Sequence, residues 1–354
     1  MTRATVFLGL FALAIPASAH HSAFVHFDKD DVVEVAGELE SIQWRNPHTE
    51  MVIRAIDSAG AETLWLGQER GAALLARKGV TQDMLEVGEA VRVAGFRGRT
   101  NRTSLFVTNI MLADGREIYN ESFAQQRWDA SLAGTTMAAA QAEMIRDRPV
   151  TSDGLFRVWS TPIAEFRGLS DNVNLDRALW NDSYPLTDYA KRVRASWDPI
   201  ADNPFIFCQN GMPAIMDQLH PMEFVRDGED ILIRLEEQDA VRRVHMSEDA
   251  PREGRSPYGH STGRWDGAAL VVTTTDIDWP WFDQDGIPQS DALVLVERFT
   301  PSPDGFELDY TVTATDPAVF TEPVVLNRTW IWAPGEELQP FNCEWDGSSL
   351  QPSN

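Results

Sequence analysis

The sequence predicts an all-β chain: an OB-like five-stranded barrel, a short helical connector, and a larger antiparallel β-barrel or sandwich. Three observations predict it. Short segments of alternating apolar and polar residues recur along the chain, the pattern of strands with one buried face. Asp-Gly pairs punctuate the second half at 227–228, 266–267 and 304–305, and Asp-Gly between such segments is a strong hairpin signal. The chain has 354 residues, 43% of them apolar and 24% charged, which suits two globular domains with sizeable cores.

Residues 1–19 read as a signal peptide. Arg3 supplies a positive start, residues 4–15 are an apolar run, Pro16 breaks it, and Ala17-Ser18-Ala19 fits a small-x-small cleavage site. The run is too short to span a bilayer, and no later stretch reaches eighteen apolar residues, so no membrane span is expected in the mature chain. The protein is expected to be exported, to the periplasm or beyond.

Residues 20–120 form the first expected domain. Residues 32–44, 51–56 and 63–66 read as three strands, with Gly37 marking a bulge or bend in the first. The period then changes. Residues 69–78 place Ala72, Leu74 and Leu75 on one helical face, and Gly79 follows as a stop signal. Residues 90–96 and 104–112 read as two further strands. Three strands, a helix and two strands is the order of an OB-fold. Residues 121–150 read as the connector, because the Ala-rich segment 133–145 favours helix and Pro149 ends it. Residues 151–354 form the second domain. One or two helical turns are expected over 189–197. Strands are expected at 222–225, 231–235, 241–246, 269–275, 292–299, 306–314 and 324–332. A closed barrel is preferred to a sandwich.

The chain carries 30 basic and 54 acidic residues, a net charge of −24. Phosphate contacts need a basic face, so nucleic-acid binding is excluded as a general function, as is attachment to anionic lipid. The two cysteines, Cys208 and Cys343, both fall in the second domain. Export makes a disulfide between them the expected state, with two buried thiols as the alternative.

Several residue strings resemble a family of exported bacterial proteins of unknown function. In the first domain these are His20-His21-Ser22, Phe27-Asp28 and Trp44-Arg45-Asn46-Pro47-His48. In the second they are Gly211-Met212-Pro213, Val244-His245-Met246, Gly259-His260-Ser261, Gly263-Arg264-Trp265 and Val296-Glu297-Arg298-Phe299. The resemblance implies a two-part exported protein and no particular activity. Gln289 stands where that pattern leads one to expect a histidine before Ser290-Asp291.

Three groups of residues are candidates for chemistry. His20, His21, His26 and His48 could hold a metal. Cleavage after Ala19 would leave the amine and imidazole of His20 as a chelate, and further imidazoles would complete a nitrogen site suited to copper(II). The alternative is an exposed terminus with a turn histidine. His245, His260 and Glu297 could form an acid–base pocket. The alternative is structural use of each, with Glu297 in an ion pair. HExxH, GxSxG, P-loop and GxGxxG motifs are all lacking. Trp279 and Trp281 lie in an aromatic loop that could stack on a sugar or another apolar-faced ligand at a barrel mouth, with Arg298 assisting, or could plug the barrel end.

The leading expectation is an exported protein that binds a small molecule in its second domain, with copper as a possible cofactor at the first. An enzyme of hydrolase, isomerase or lyase type and an envelope scaffold are the alternatives. The sequence points to no protein partner.

Overall fold

The computed structural model describes residues 26–46, 48–77, 80–112, 114–119, 126–128, 132–133, 154–161, 183–198, 201–217, 220–247, 249–252, 254–332, 334–341 and 343. The described chain is all-β, as expected, with two separate apolar cores among the described residues, one drawn from residues 33–112 and the other from 155–332.

The first core is enclosed by five strands: β1 (Phe27–Gln43), β2 (Glu50–Ile56), β3 (Glu62–Gln68), β4 (Ala90–Gly98) and β5 (Ser104–Met111). A six-residue helix, α1 (Ala72–Arg77), lies between β3 and β4. The ring runs β1-β2-β3-β5-β4, and β3 joins β5 in parallel. That order is the OB topology. An odd number of strands cannot alternate direction all round a ring, so one seam must be parallel.

Strand β1 serves two neighbours. Its first part pairs with β4 and its last part with β2. Val33, Val35 and Leu39 point inward from it, the period-2 face that the sequence shows. Gly37 is not itself the bulge. A Cβ there would lie 2.2 Å from the Arg54 carbonyl oxygen, so glycine permits the close approach of β2, and the register shift with β2 falls between Leu39 and Ser41.

The sheet continues past residue 120. Strand β6 (Arg116–Tyr119) pairs with β5, and β7 (Leu132–Ala133) pairs with β6. Glu117 is fully buried and accepts backbone N–H bonds from Arg127 at 2.8 Å and Trp128 at 3.0 Å. Arg127 and Arg92 bond to Glu34 and hold its carboxyl at about 2. The start of the expected connector thus packs as part of this sheet, and the helix expected over the Ala-rich stretch lies outside the described residues.

The second core is enclosed by nine strands: β8 (Val158–Ser160), β9 (Met222–Asp227), β10 (Asp230–Leu235), β11 (Val241–His245), β12 (His260–Asp266), β13 (Ala269–Thr275), β14 (Val294–Pro301), β15 (Glu307–Thr315) and β16 (Val324–Trp332). They close into a barrel in sequence order, with β8 joining β16 to β9. The sandwich alternative is thereby set aside. The barrel is antiparallel, as expected, at every seam but one: nine is odd, and the β11–β12 seam is parallel, through Val244↔Ser261 and His245↔Thr262.

Helix α2 (Asp188–Ser196) starts at Thr187, whose hydroxyl accepts the Ala190 N–H. A 3-10 turn at Ala214–Asp217 is buried throughout. Met216 and Asp217 meet Arg242 and Arg328, which point inward from β11 and β16, so this segment plugs the barrel. Cys208 and Cys343 form the expected disulfide across a separation of 135 residues. No helix among the described residues is long and apolar enough to cross a membrane.

Candidate functional site

The inward face of the second barrel carries a buried polar cluster. Arg242 is 1% exposed and Glu297 is fully buried. Arg242 binds Glu297 through two bonds, Nη1–Oε1 at 3.0 Å and Nη2–Oε2 at 2.5 Å. Tyr310 donates its hydroxyl to Glu297 at 2.9 Å, Thr274 donates at 3.2 Å, and Ser261 meets Thr274 at 2.9 Å. Burial pushes the Tyr310 hydroxyl well above its usual range, and Glu297 adds to that. The same carboxylate keeps the Arg242 guanidinium firmly charged against the cost of burial. Every oxygen of Glu297 is bound within a plugged core, so this is an internal brace.

The expected His245–His260–Glu297 pocket does not form. Glu297 shares the inner face with Val272 and Val312, its register partners. His260 is paired with Thr275, on the opposite side of the sheet from Ser261 and Thr274, because successive strand residues alternate faces. His245 stacks on His260 outside the barrel, with ring centroids 5.2 Å apart. His245 Nδ1 lies 3.1 Å from Asp230. Partial burial works to raise the Asp230 carboxyl, but the Met246 N–H, Arg243 and His245 together bring it below its usual value. The barrel wall separates the two histidines from Glu297.

The mouth of the barrel offers more. Strands β10 and β13 end there and β12 begins there, so the turn at 236–240, residues 257–259 and the aromatic loop gather at one end, beside the plug. A cavity of about 260 Å³ lies among Cys208, Gln209, Asn210, Gln238, Pro257, Tyr258 and Trp279. Trp279 is the one expected ligand-binding residue that lines it. Its indole packs on the backbone of Gly211, where a Cβ would sit 2.4 Å from the ring, and on the Phe205 edge. Gln289 fixes the loop by donating to the carbonyls of both Trp279 at 2.7 Å and Met212 at 3.1 Å. A glutamine amide offers two N–H bonds from one nitrogen, which a histidine ring nitrogen cannot, so the residue at this position is a clamp between loop and plug. Trp281 instead packs against Trp197, and Arg298 pairs with Asp266 on the outer face of β14 at 2.7 Å. Neither lines the cavity.

The backbone at the mouth is strained. Cys208, Gln238, Asp239 and Asp276 have φ of 56°, 61°, 49° and 56°, and they are the non-glycine residues with positive φ among those described. All four sit in loops of this end. Left-handed backbone costs a residue with a side chain roughly 1–2 kcal/mol, and such strain gathers at functional sites. Glu237, between the two strained turn residues and the plug, is pushed up by burial and accepts a bond from Asn210 at 3.0 Å. Burial also raises the Tyr258 hydroxyl, and the Glu237 charge raises it further. Sequence reasoning missed Gln209, Gln238 and Tyr258. Asn210-Gly211 beside Met212-Pro213 was the one visible sign, as a turn-rich string next to a cysteine.

At the first barrel, His20 and His21 lie outside the described residues. Burial pushes the His26 imidazole below its usual value, whereas His48 is exposed. Among the described residues no group of three His, Cys, Asp or Glu side chains is placed to hold a metal ion.

Residues 8–106 match the model of a family described as "Family of unknown function (DUF6152)". No curated protein matches the chain. The matched stretch includes the terminal histidines, the Trp44 string and β1 to β4, so the chain is similar to that family over most of its first barrel, and the barrel that carries the mouth cavity lies outside the match.

Proposed function

We propose that the protein is an exported binding protein that takes a small ligand in the mouth of its second barrel. One observation carries this reading: the cavity at that mouth is bordered by Cys208 and Gln238, two of the strained residues of the described chain. Strain of this kind persists only where the surroundings enforce it, and a preformed concave site with a few converging polar groups is the usual form of a small-molecule site. The leader-like segment 1–19 and the Cys208–Cys343 disulfide support export, because disulfides persist in oxidising compartments.

A screen of small fragments by ligand-observed NMR tests the reading. Fragments should show saturable binding to the wild-type protein that is lost in Trp279→Phe or Gln238→Gly. Glycine favours the left-handed backbone at 238, so this variant deletes the amide without straining the turn. Binding that is indifferent to both variants, or none at all, would remove the cavity from consideration.

A further inference from the structure

We propose that the mouth cavity takes a neutral polyhydroxylated ring, a pyranose sugar or a similar cyclic polyol. This deepens the reading above and rests on it. The hydrogen-bonding groups of the cavity favour this class. Gln209, Gln238 and Tyr258 line the cavity, two amides and a phenol whose side chains make no hydrogen bond among the described residues; the Trp279 indole lines it as an apolar wall, its N–H being buried. An amide both donates and accepts, and so does a phenol. Ligand hydroxyls do the same, so each can satisfy either end of each group. A carboxylate or phosphate only accepts and would leave the amide oxygens facing it. An ammonium only donates and would leave the amide N–H groups facing it.

The charge around the cavity favours it too. No Lys, Arg, His, Asp or Glu borders the cavity. Glu237, next to Gln238 in the turn, is held by Asn210, and an anion would meet no compensating cation, in a chain of net charge −24. A cation is the stronger rival, since Trp279 and Tyr258 offer ring faces. Against it, Glu237 is already engaged, and burial favours its uncharged form. The shape of the cavity agrees. The indole is fixed by Gly211 and Phe205 as a rigid wall, and aromatic walls suit the C–H faces of a sugar ring. The cavity, at about 260 Å³, falls below the roughly 300–1,000 Å³ of drug-sized sites, which suits a single ring.

Saturation-transfer NMR titrations of the full chain test the proposal. The probes are glucose, galactose, N-acetylglucosamine and myo-inositol, with choline and acetate as charged comparators. At least one neutral ring should bind saturably, and its affinity should fall about threefold to tenfold in Gln238→Gly and in Tyr258→Phe, the loss expected for one neutral hydrogen bond, with the thermal midpoint of each variant unchanged. Choline or acetate binding in place of the rings, with the same sensitivity to the variants, would overturn the ligand class and leave the cavity reading standing. Failure of every ring while fragments still bind in a Gln238-dependent way would do the same. Failure of rings and fragments alike would overturn both.

Discussion

Asp283 illustrates what one buried residue sets. It is 3% exposed, accepts the N–H groups of Asp285 and Ile287 through one oxygen, and has its carboxyl pushed up to about 7 by burial, with the Asp285 charge adding to it. The folded carboxyl then keeps its proton to about pH 7, while the unfolded one releases it near 3.8. The folded state binds the extra proton between those values, so stability falls as pH rises through that window. Asp283→Asn keeps the accepting oxygen and cannot ionise. Its unfolding free energy should gain on the wild type between pH 4 and pH 8, by an amount on the order of 4 kcal/mol. Parallel pH profiles in urea titrations would contradict this. At the same scale, Trp279 was legible because an aromatic loop beside turn signals has few other uses. Gln238 was not, since nothing in a glutamine announces a left-handed backbone. His245 and Glu297 were grouped wrongly because residues 241–246 mix charged and apolar side chains on both faces. The alternation does not say which face is inner until the inward Arg242 is seen to meet a carboxylate.

At the scale of elements, the strands that sequence reasoning found are mostly those with apolar residues at every second position, such as β15 with Leu308, Tyr310, Val312 and Ala314 inward. The two it missed in the second barrel have physical reasons, and β6 and β7 beside the first barrel, four and two residues long, were missed as well. Strand β8 is three residues long and buries chiefly Trp159, too short for a period to show. Strand β12 begins His260-Ser261-Thr262-Gly263 and has no apolar residue at those positions, because its inner face meets the polar cluster through Ser261. That cluster ties β11, β13, β14 and β15 together through Arg242, Thr274, Glu297 and Tyr310. Removing one partner of a buried pair strands the other. Glu297→Ala should therefore destabilise the barrel by about 3–5 kcal/mol, and Arg242→Met combined with Glu297→Gln should recover a large part of that loss. Equal stability of the single and double variants in denaturant titrations would show that Arg242 does not depend on Glu297.

At the scale of the whole molecule, two cores and one cross-link organise the described chain. A fragment of residues 20–133 should unfold cooperatively, because the first core draws on residues 33–112 alone. A fragment ending at 120 should be less stable by about 1–3 kcal/mol, since buried Glu117 loses the Arg127 and Trp128 N–H groups; equal thermal midpoints would show that the extension is not part of that unit. In the second barrel, the disulfide joins the loop that leads into the plug to the segment after β16. Replacing both cysteines with serine should cost about 2–5 kcal/mol, read from urea titrations, and unchanged stability would mean that the plug is held without it. The all-β character of the chain was legible from alternation and turn spacing, whereas the cavity was not, because it is assembled from four loops far apart in sequence. Amide chemical-shift mapping of the full chain, as the strongest-binding fragment is added, locates the ligand on the molecule. The shifts should concentrate at residues 208–210, 238, 257–258 and 279. Shifts centred instead on the first barrel, or on the outer face around His245 and His260, would contradict binding at the mouth.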